Sequence, residues 1–185
     1  MSEQTPSQTA GPYFAYGLTA RQYHYPNGQI ADGEMAVEGD KRRIRILGRV
    51  YDGAGAPIPD ALIEFWQADA EGRYGAPGFS GFGRQGTGTD PEGRFIFDTI
   101  KPGAASGAAP FVTIVVLMRG LLSHVYTRLY FSDEEAANAA DPVLASVRAN
   151  RRRTLIATRE ATADAVHYRF DIHMQGAEET VFFDL

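Results

Sequence analysis

The stretch Pro110-Phe-Val-Thr-Ile-Val-Val-Leu-Met118 decides the fold class. Nine residues, apolar or β-branched almost throughout, suit a strand covered on both faces better than a helix. Upstream, Ile44, Ile46, Gly48 and Val50 fall on one face while Arg45, Leu47, Arg49 and Tyr51 fall on the other, as a half-buried strand requires. Residues 61–67 (ALIEFWQ) and 94–100, with Phe95 and Phe97 in alternation, give two more. Gly and Pro crowd the chain between Gly53 and Gly93 and leave little room for long helices.

Downstream, 125–131, 154–158, 166–174 and 179–184 repeat the pattern, and Tyr168, Phe170, Ile172 and Met174 share a face. About eight short strands separated by turn signals predict an all-β antiparallel sandwich. One short helical excursion is expected between 133 and 149. Ser132-Asp133-Glu134-Glu135 puts acid in a first turn, and Asp141-Pro142 resembles a second start.

Residues 1–40 read differently. Four Tyr, one Phe, three Pro and five Gly occur without a sustained period, which predicts an N-terminal arm ahead of a sandwich domain over 41–185. Such an arm cannot bury its own rings, so it must lie on its own domain or on another subunit. Both readings stand.

The 185 residues are 44% hydrophobic and 22% charged, the usage of an ordinary folded chain of one domain with an extension. Lys plus Arg is 18 against 23 Asp plus Glu, and the net charge of −5 argues against a general nucleic-acid role. There are no cysteines, which removes disulfides, thiolate metal sites and Cys nucleophiles and fits the cytoplasm. With no signal-peptide layout and no apolar run near ~18 residues, no membrane role is expected.

Local catalytic signals are weak. His24, His124, His167 and His173 form no metal-binding spacing, and His167 and His173 would lie roughly 20 Å apart along one strand. There is no Gly-x-Ser-x-Gly elbow and no phosphate loop. Arg151-Arg152-Arg153 reads as a solvated turn.

Several segments in order carry a more specific signal. They are 5–13 (TPSQTAGPY), 48–52 (GRVYD), 64–74 (EFWQADAEGRY), 100–103 (IKPG), 127–131 (TRLYF), 168–172 (YRFDI) and 179–183 (ETVFF). Together they resemble the intradiol ring-cleavage dioxygenases, and within them the alpha chains of the two-chain, protocatechuate-cleaving branch. The resemblance spans nearly the whole chain and implies a prealbumin-like β-sandwich.

In catalytic members of that family, two Tyr and two His hold a non-haem ferric ion. Only the first position survives here, as Tyr74. Ala105 stands at the second, and Phe111-Val112-Thr113 replaces the His-x-His. The resemblance therefore implies that Fe(III) is held by a partner beta subunit and not by this chain, leaving Tyr74 as a packing residue. It further implies that Thr9, Gly11, Pro12 and Tyr13 reach the pocket formed with beta and help to bind the substrate. The other reading is that the arm only packs the interface.

Arg119, in Met118-Arg119-Gly120, is the second residue carried over. It is expected in this chain's own metal-free pocket, either drawing an anion such as a substrate carboxylate or closing a surface ion pair. Arg128 belongs to the strand pattern and is expected to be structural.

The function implied is intradiol cleavage of protocatechuate, a small aromatic diol acid, by O2 to 3-carboxy-cis,cis-muconate in aromatic catabolism along the beta-ketoadipate pathway. A higher-order oligomer of alpha-beta pairs would house it. The competing reading is a metal-free sandwich that binds an aromatic acid or a partner protein without catalysis. A self-sufficient iron enzyme would need four ligands that nothing in the sequence arranges.

Overall fold

The computed structural model describes residues 11, 13–26, 30–36, 40–161 and 166–184. Its strands are β1 (Arg43–Tyr51), β2 (Leu62–Gln67), β3 (Phe82–Gly86), β4 (Arg94–Ile100), β5 (Phe111–Leu117), β6 (Val125–Phe131), β7 (Ile156–Ala161), β8 (Val166–Arg169) and β9 (Ile172–His173). They follow one hydrogen-bonded path, β3-β2-β5-β6-β7-β8-β1-β4, with β9 added beside β1.

The path folds back on itself. β7 pairs with β6 through Ile156 and Ala157 and with β8 from Thr158 onward, so it passes from one layer to the other. β2 and β4 share no ladder, yet Phe65 stacks on Phe97 with ring centroids 3.7 Å apart and Phe95 lies edge-on to Phe65. These rings, fully buried with Ile46, Val50, Ile63, Ile114 and Leu129, form the core between the layers. A sandwich with mostly antiparallel pairs is thus present, but β1/β8, β1/β9 and β6/β7 are parallel. A parallel partner needs a long crossover, and for β6/β7 residues 132–155 supply it.

The helical excursion in that crossover divides at its proline. α2 (Glu135–Ala140) ends where Asp141 caps α3 (Pro142–Ser146), with Pro142 at the first helical position. The acidic start expected at Ser132 and Asp133 does not cap α2. Ser132 Oγ instead accepts from the Arg159 N–H, and Asp133 pairs with Lys101 and accepts from Tyr168 Oη.

Other expectations shift for identifiable reasons. The strand read over 166–174 breaks at Phe170, whose carbonyl crosses Gly48 so closely that a Cβ at residue 48 would sit 1.7 Å from it. The segment 154–158 opens as a 3-10 turn (Arg152–Leu155). The segment 179–184 makes only the single bridge Tyr126–Phe183. Arg151-Arg152-Arg153 is no idle solvated turn: Arg151 donates to the carbonyls of Ala177 and Glu179, Arg152 to those of Ala145 and Val147, and Arg153 pairs with Glu178. β3 was not expected, because its glycines mask the alternation.

The arm holds helical structure that its composition hides: α1 (Phe14–Leu18) and a 3-10 turn (Ala20–Tyr23). Five or four residues are too few to display a period. The arm lies on its own domain, since Gln22 both accepts from the Gly86 N–H (2.7 Å) and donates to its carbonyl (3.0 Å). Farther along, Asp32 accepts from Arg84 of β3, Gly33 accepts from Asp98 of β4, and Met35 and Ala36 donate back to Asp98. Among the described residues no helix is long and apolar enough to cross a membrane.

Asp141 is fully buried and fully used. It accepts from the N–H groups of Leu144 (2.7 Å) and Ala109 (2.9 Å) and from Tyr130 Oη (3.1 Å), tying the 104–109 loop to β6 and α3. Asp141→Ala strands three buried donors, and a loss of about 2–4 kcal/mol is expected, read as a lower urea midpoint at unchanged m.

Candidate functional site

Two clusters hold the sequence-derived residues, one at each end of the β2/β5/β6 sheet. At the first end, register sets Trp66, Thr113 and Arg128 in a row across β2, β5 and β6. Trp66 stacks on Tyr74 at 5.6 Å, and the Arg128 guanidinium lies 4.2 Å over the Phe111 ring. The turn carrying Tyr74 packs on the 103–105 loop, where the Gly103 N–H donates to Asp69 and a Cβ at Gly72 would meet the Ala104 carbonyl. Tyr74, Ala105, Phe111 and Thr113 are therefore neighbours, as the resemblance implies.

The electrostatics of this end oppose a metal cation. Burial raises the Tyr74 phenol above its ordinary pKa while the charge of Arg128 pulls the other way. Arg128 has no carboxylate in ion-pair range among the described residues. Among those residues, no three His, Cys, Asp or Glu groups converge as a metal would need. One protonated phenol, an alanine, a phenylalanine, a threonine and a fixed guanidinium do not fit a ferric ion. Arg128 thus sets the charge at this end of the sheet as well as belonging to its strand.

The second end gathers the arm. Tyr13 is 84% exposed, and among the described residues its ring meets only that of Tyr16, at 6.4 Å. Tyr16 meets Tyr23 edge-on at 4.8 Å and Tyr25 at 6.2 Å. Tyr23 lies against Gly88 and beside Asp60, and its phenol is raised by burial, then by Tyr16 and Asp60. Gly11 and Phe14 share a narrow crevice with Tyr23 and Asp60. A Cβ at Gly11 would meet nothing within 4 Å among the described residues, so no packing among them calls for glycine there. Thr9 and Pro12 lie outside the described residues.

Arg119 belongs to this second end, which corrects its expected place. Its Nε lies 2.9 Å from Asp60 Oδ2. The cluster of Tyr74, Phe111 and Arg128 is at the opposite end of β5, and the rise from Phe111 to Leu117 alone is roughly 20 Å. The ion-pair reading of Arg119 is realised, but beside the arm. Sequence reasoning missed Asp60, Tyr16 and Tyr23 as members of this cluster. Asp60 follows Pro59 in a turn and offers no spacing signal; only its charge, placed just ahead of the buried run 61–65, marks it.

A family model described as Dioxygenase matches residues 10–109. The chain is 50% identical over 193 residues to the protocatechuate 3,4-dioxygenase alpha chain of Burkholderia cepacia, covering 99% of this chain and 98% of that one. It is 31% identical over 201 residues to the beta chain from the same organism, covering 97% and 83%. Among solved structures, the dioxygenase domain of a carbohydrate-binding fusion from Streptomyces sp. SirexAA-E shares the fold, with a TM-score of 0.63 at 24% identity, over 95% of this chain and 100% of that one.

Next to Arg128, burial pushes the Tyr130 phenol up to about 12, with Arg128 lowering it and Asp141 raising it. The folded protein then binds this proton more tightly than the unfolded chain, whose phenol titrates near ~10. The associated stability is complete below about pH 10 and is lost as pH rises toward 12. Urea midpoints are expected to fall across that window more steeply in the wild type than in Tyr130→Phe.

Proposed function

The chain belongs to the dioxygenase family, as a homologue of protocatechuate 3,4-dioxygenase alpha chains, and from that premise we propose that it is the iron-free alpha subunit of an enzyme that opens protocatechuate with O2. The observation that carries this reading is a chain-long likeness to an alpha chain combined with a metal-site remnant that holds a guanidinium. The beta subunit is its partner, alpha-beta pairs assemble further, and the enzyme works in the cytoplasm. The ferric ion of beta supplies the activation of the diol toward O2 that yields 3-carboxy-cis,cis-muconate.

This chain's own contribution is a wall of that pocket. Thr9, Gly11, Pro12 and Tyr13 line it, and Arg119 pairs with the carboxylate of the substrate. Support comes from the arm, where Tyr13, Phe14, Tyr16, Tyr25 and Ile30 leave large apolar side chains exposed that a partner would cover. It comes also from the shared placement of Arg119 and the arm around Asp60. A substrate held on one side by an aromatic ring and on the other by a guanidinium keeps its diol edge free for the metal.

Two measurements test this. Expressed alone, the chain is expected to be colourless with iron far below one per chain and to self-associate. Expressed with its beta partner it is expected to yield active, red-brown enzyme whose iron resides in beta. An isolated chain with stoichiometric iron and a visible band would overturn the assignment. A soluble monomer that ignores beta would favour a metal-free binding module.

In the assembled enzyme, Tyr13→Ala is expected to leave iron content and assembly intact while kcat/KM falls roughly tenfold to a hundredfold, corresponding to about 1–3 kcal/mol. With Arg119 at the arm, Arg119→Ala is expected to raise KM for protocatechuate strongly. An Arg119 lying in the chain's own metal-free pocket would instead alter activity far less than Tyr13→Ala does. Steady-state kinetics on both variants distinguishes these outcomes.

A further inference from the structure

The carboxylate of Asp60 is an unusual group in this protein. Both of its oxygens are buried, and neither has a hydrogen-bond partner among the described residues. Its side chain is 12% exposed, and among the described residues its ion pair is with Arg119, which is 60% exposed. A buried carboxylate without hydrogen bonds costs free energy, so its presence calls for a role. The closest approach is from Nε of Arg119. The two terminal nitrogens of the guanidinium have no hydrogen-bond partner among the described residues, and five donors on a rigid fork can serve two carboxylates at once.

We propose that Asp60 is a positioning residue for substrate recognition: it anchors Arg119 at Nε, beside the arm, so that the terminal nitrogens stand ready for the carboxylate of an aromatic diol acid. This rests on the reading that Arg119 meets the substrate. The arm completes the arrangement, because Tyr23 lies next to Asp60 and connects through Tyr16 to Tyr13. An arginine whose stem is mobile loses rotamer entropy when it captures an anion, and an anchored one loses less. Asp60 therefore acts on binding of the carboxylate-bearing substrate and not on the ring-opening step.

The test uses the assembled alpha-beta enzyme and two substrates, 3,4-dihydroxybenzoate and catechol, which lacks the carboxylate. Asp60→Asn keeps the shape and removes the charge. It is expected to raise KM for 3,4-dihydroxybenzoate roughly tenfold, with kcat within about twofold and catechol kinetics unchanged. Asp60→Glu, which restores the charge, is expected to recover most of the loss. On an Arg119→Ala background, Asp60→Asn is expected to add nothing, because it has no guanidinium left to position.

Equal losses on both substrates, additivity with Arg119→Ala, or failure of the Asp60→Asn chain to join beta would overturn the proposal by showing a structural role. If Arg119→Ala raises KM for 3,4-dihydroxybenzoate and Asp60→Asn does not, only the Asp60 inference falls. If Arg119→Ala itself leaves that KM unchanged, the substrate reading of Arg119 falls and the Asp60 proposal with it.

Discussion

Everything in this molecule depends on closing one open seam. The two layers share a strand on one side, where β7 crosses between them, but on the other side they end in β3 and β4, each with an outer row of unpaired backbone groups. Residues 32–36 run along that seam and bond both edges, accepting from Arg84 and Asp98 and donating back to Asp98. The fit requires glycine at 33, since a Cβ there would come within 2.4 Å of the Ile96 carbonyl. Protected edges keep the Phe65–Phe97 stack dry and remove a surface on which other strands could add. They also fix the arm: a segment bonded to both layers has only one place from which to send its upstream part.

That placement separates two kinds of chemistry by the length of β5. At one end, a guanidinium sits over Phe111 beside a protonated phenol. A fixed positive charge in a partly buried site repels a trivalent cation far more strongly than it would in water. At the other end, the same kind of residue, an arginine, is held by a carboxylate and left open outward. The two arginines differ in what surrounds them. Arg128 is spent on an aromatic face, whereas Arg119 has capacity to receive an anion.

The exposed aromatic residues of the arm make sense in the same frame. A domain that buries Phe65, Phe95 and Phe97 completely has no shortage of core, so leaving Tyr13, Tyr16, Tyr25 and Ile30 in solvent is a property of the surface and not of poor packing. The rings contact each other in a chain that ends beside Asp60, which gives the arm rigidity along its inner side and leaves its outer side for a partner.

The sequence by itself determined the strands that alternate or run continuously apolar, because a period of two is a local property that any window of seven residues displays. β1, β4, β5 and β6 were legible in this way, as was the Asp141-Pro142 helix start. Only the tertiary structure decided what depends on residues distant in the chain. β3 was hidden by glycines that serve close packing, and the arm's short helices had too few residues to show a period. At the break at Phe170 its carbonyl approaches residue 48 so closely that only glycine fits there. Arg119 was legible as a notable arginine, but its place beside the arm was not. Asp60 and Arg119 are separated by the whole of β2, β3, β4 and β5, and their 2.9 Å contact arises from the antiparallel register of β2 on β5, which brings the start of one strand to the end of the other.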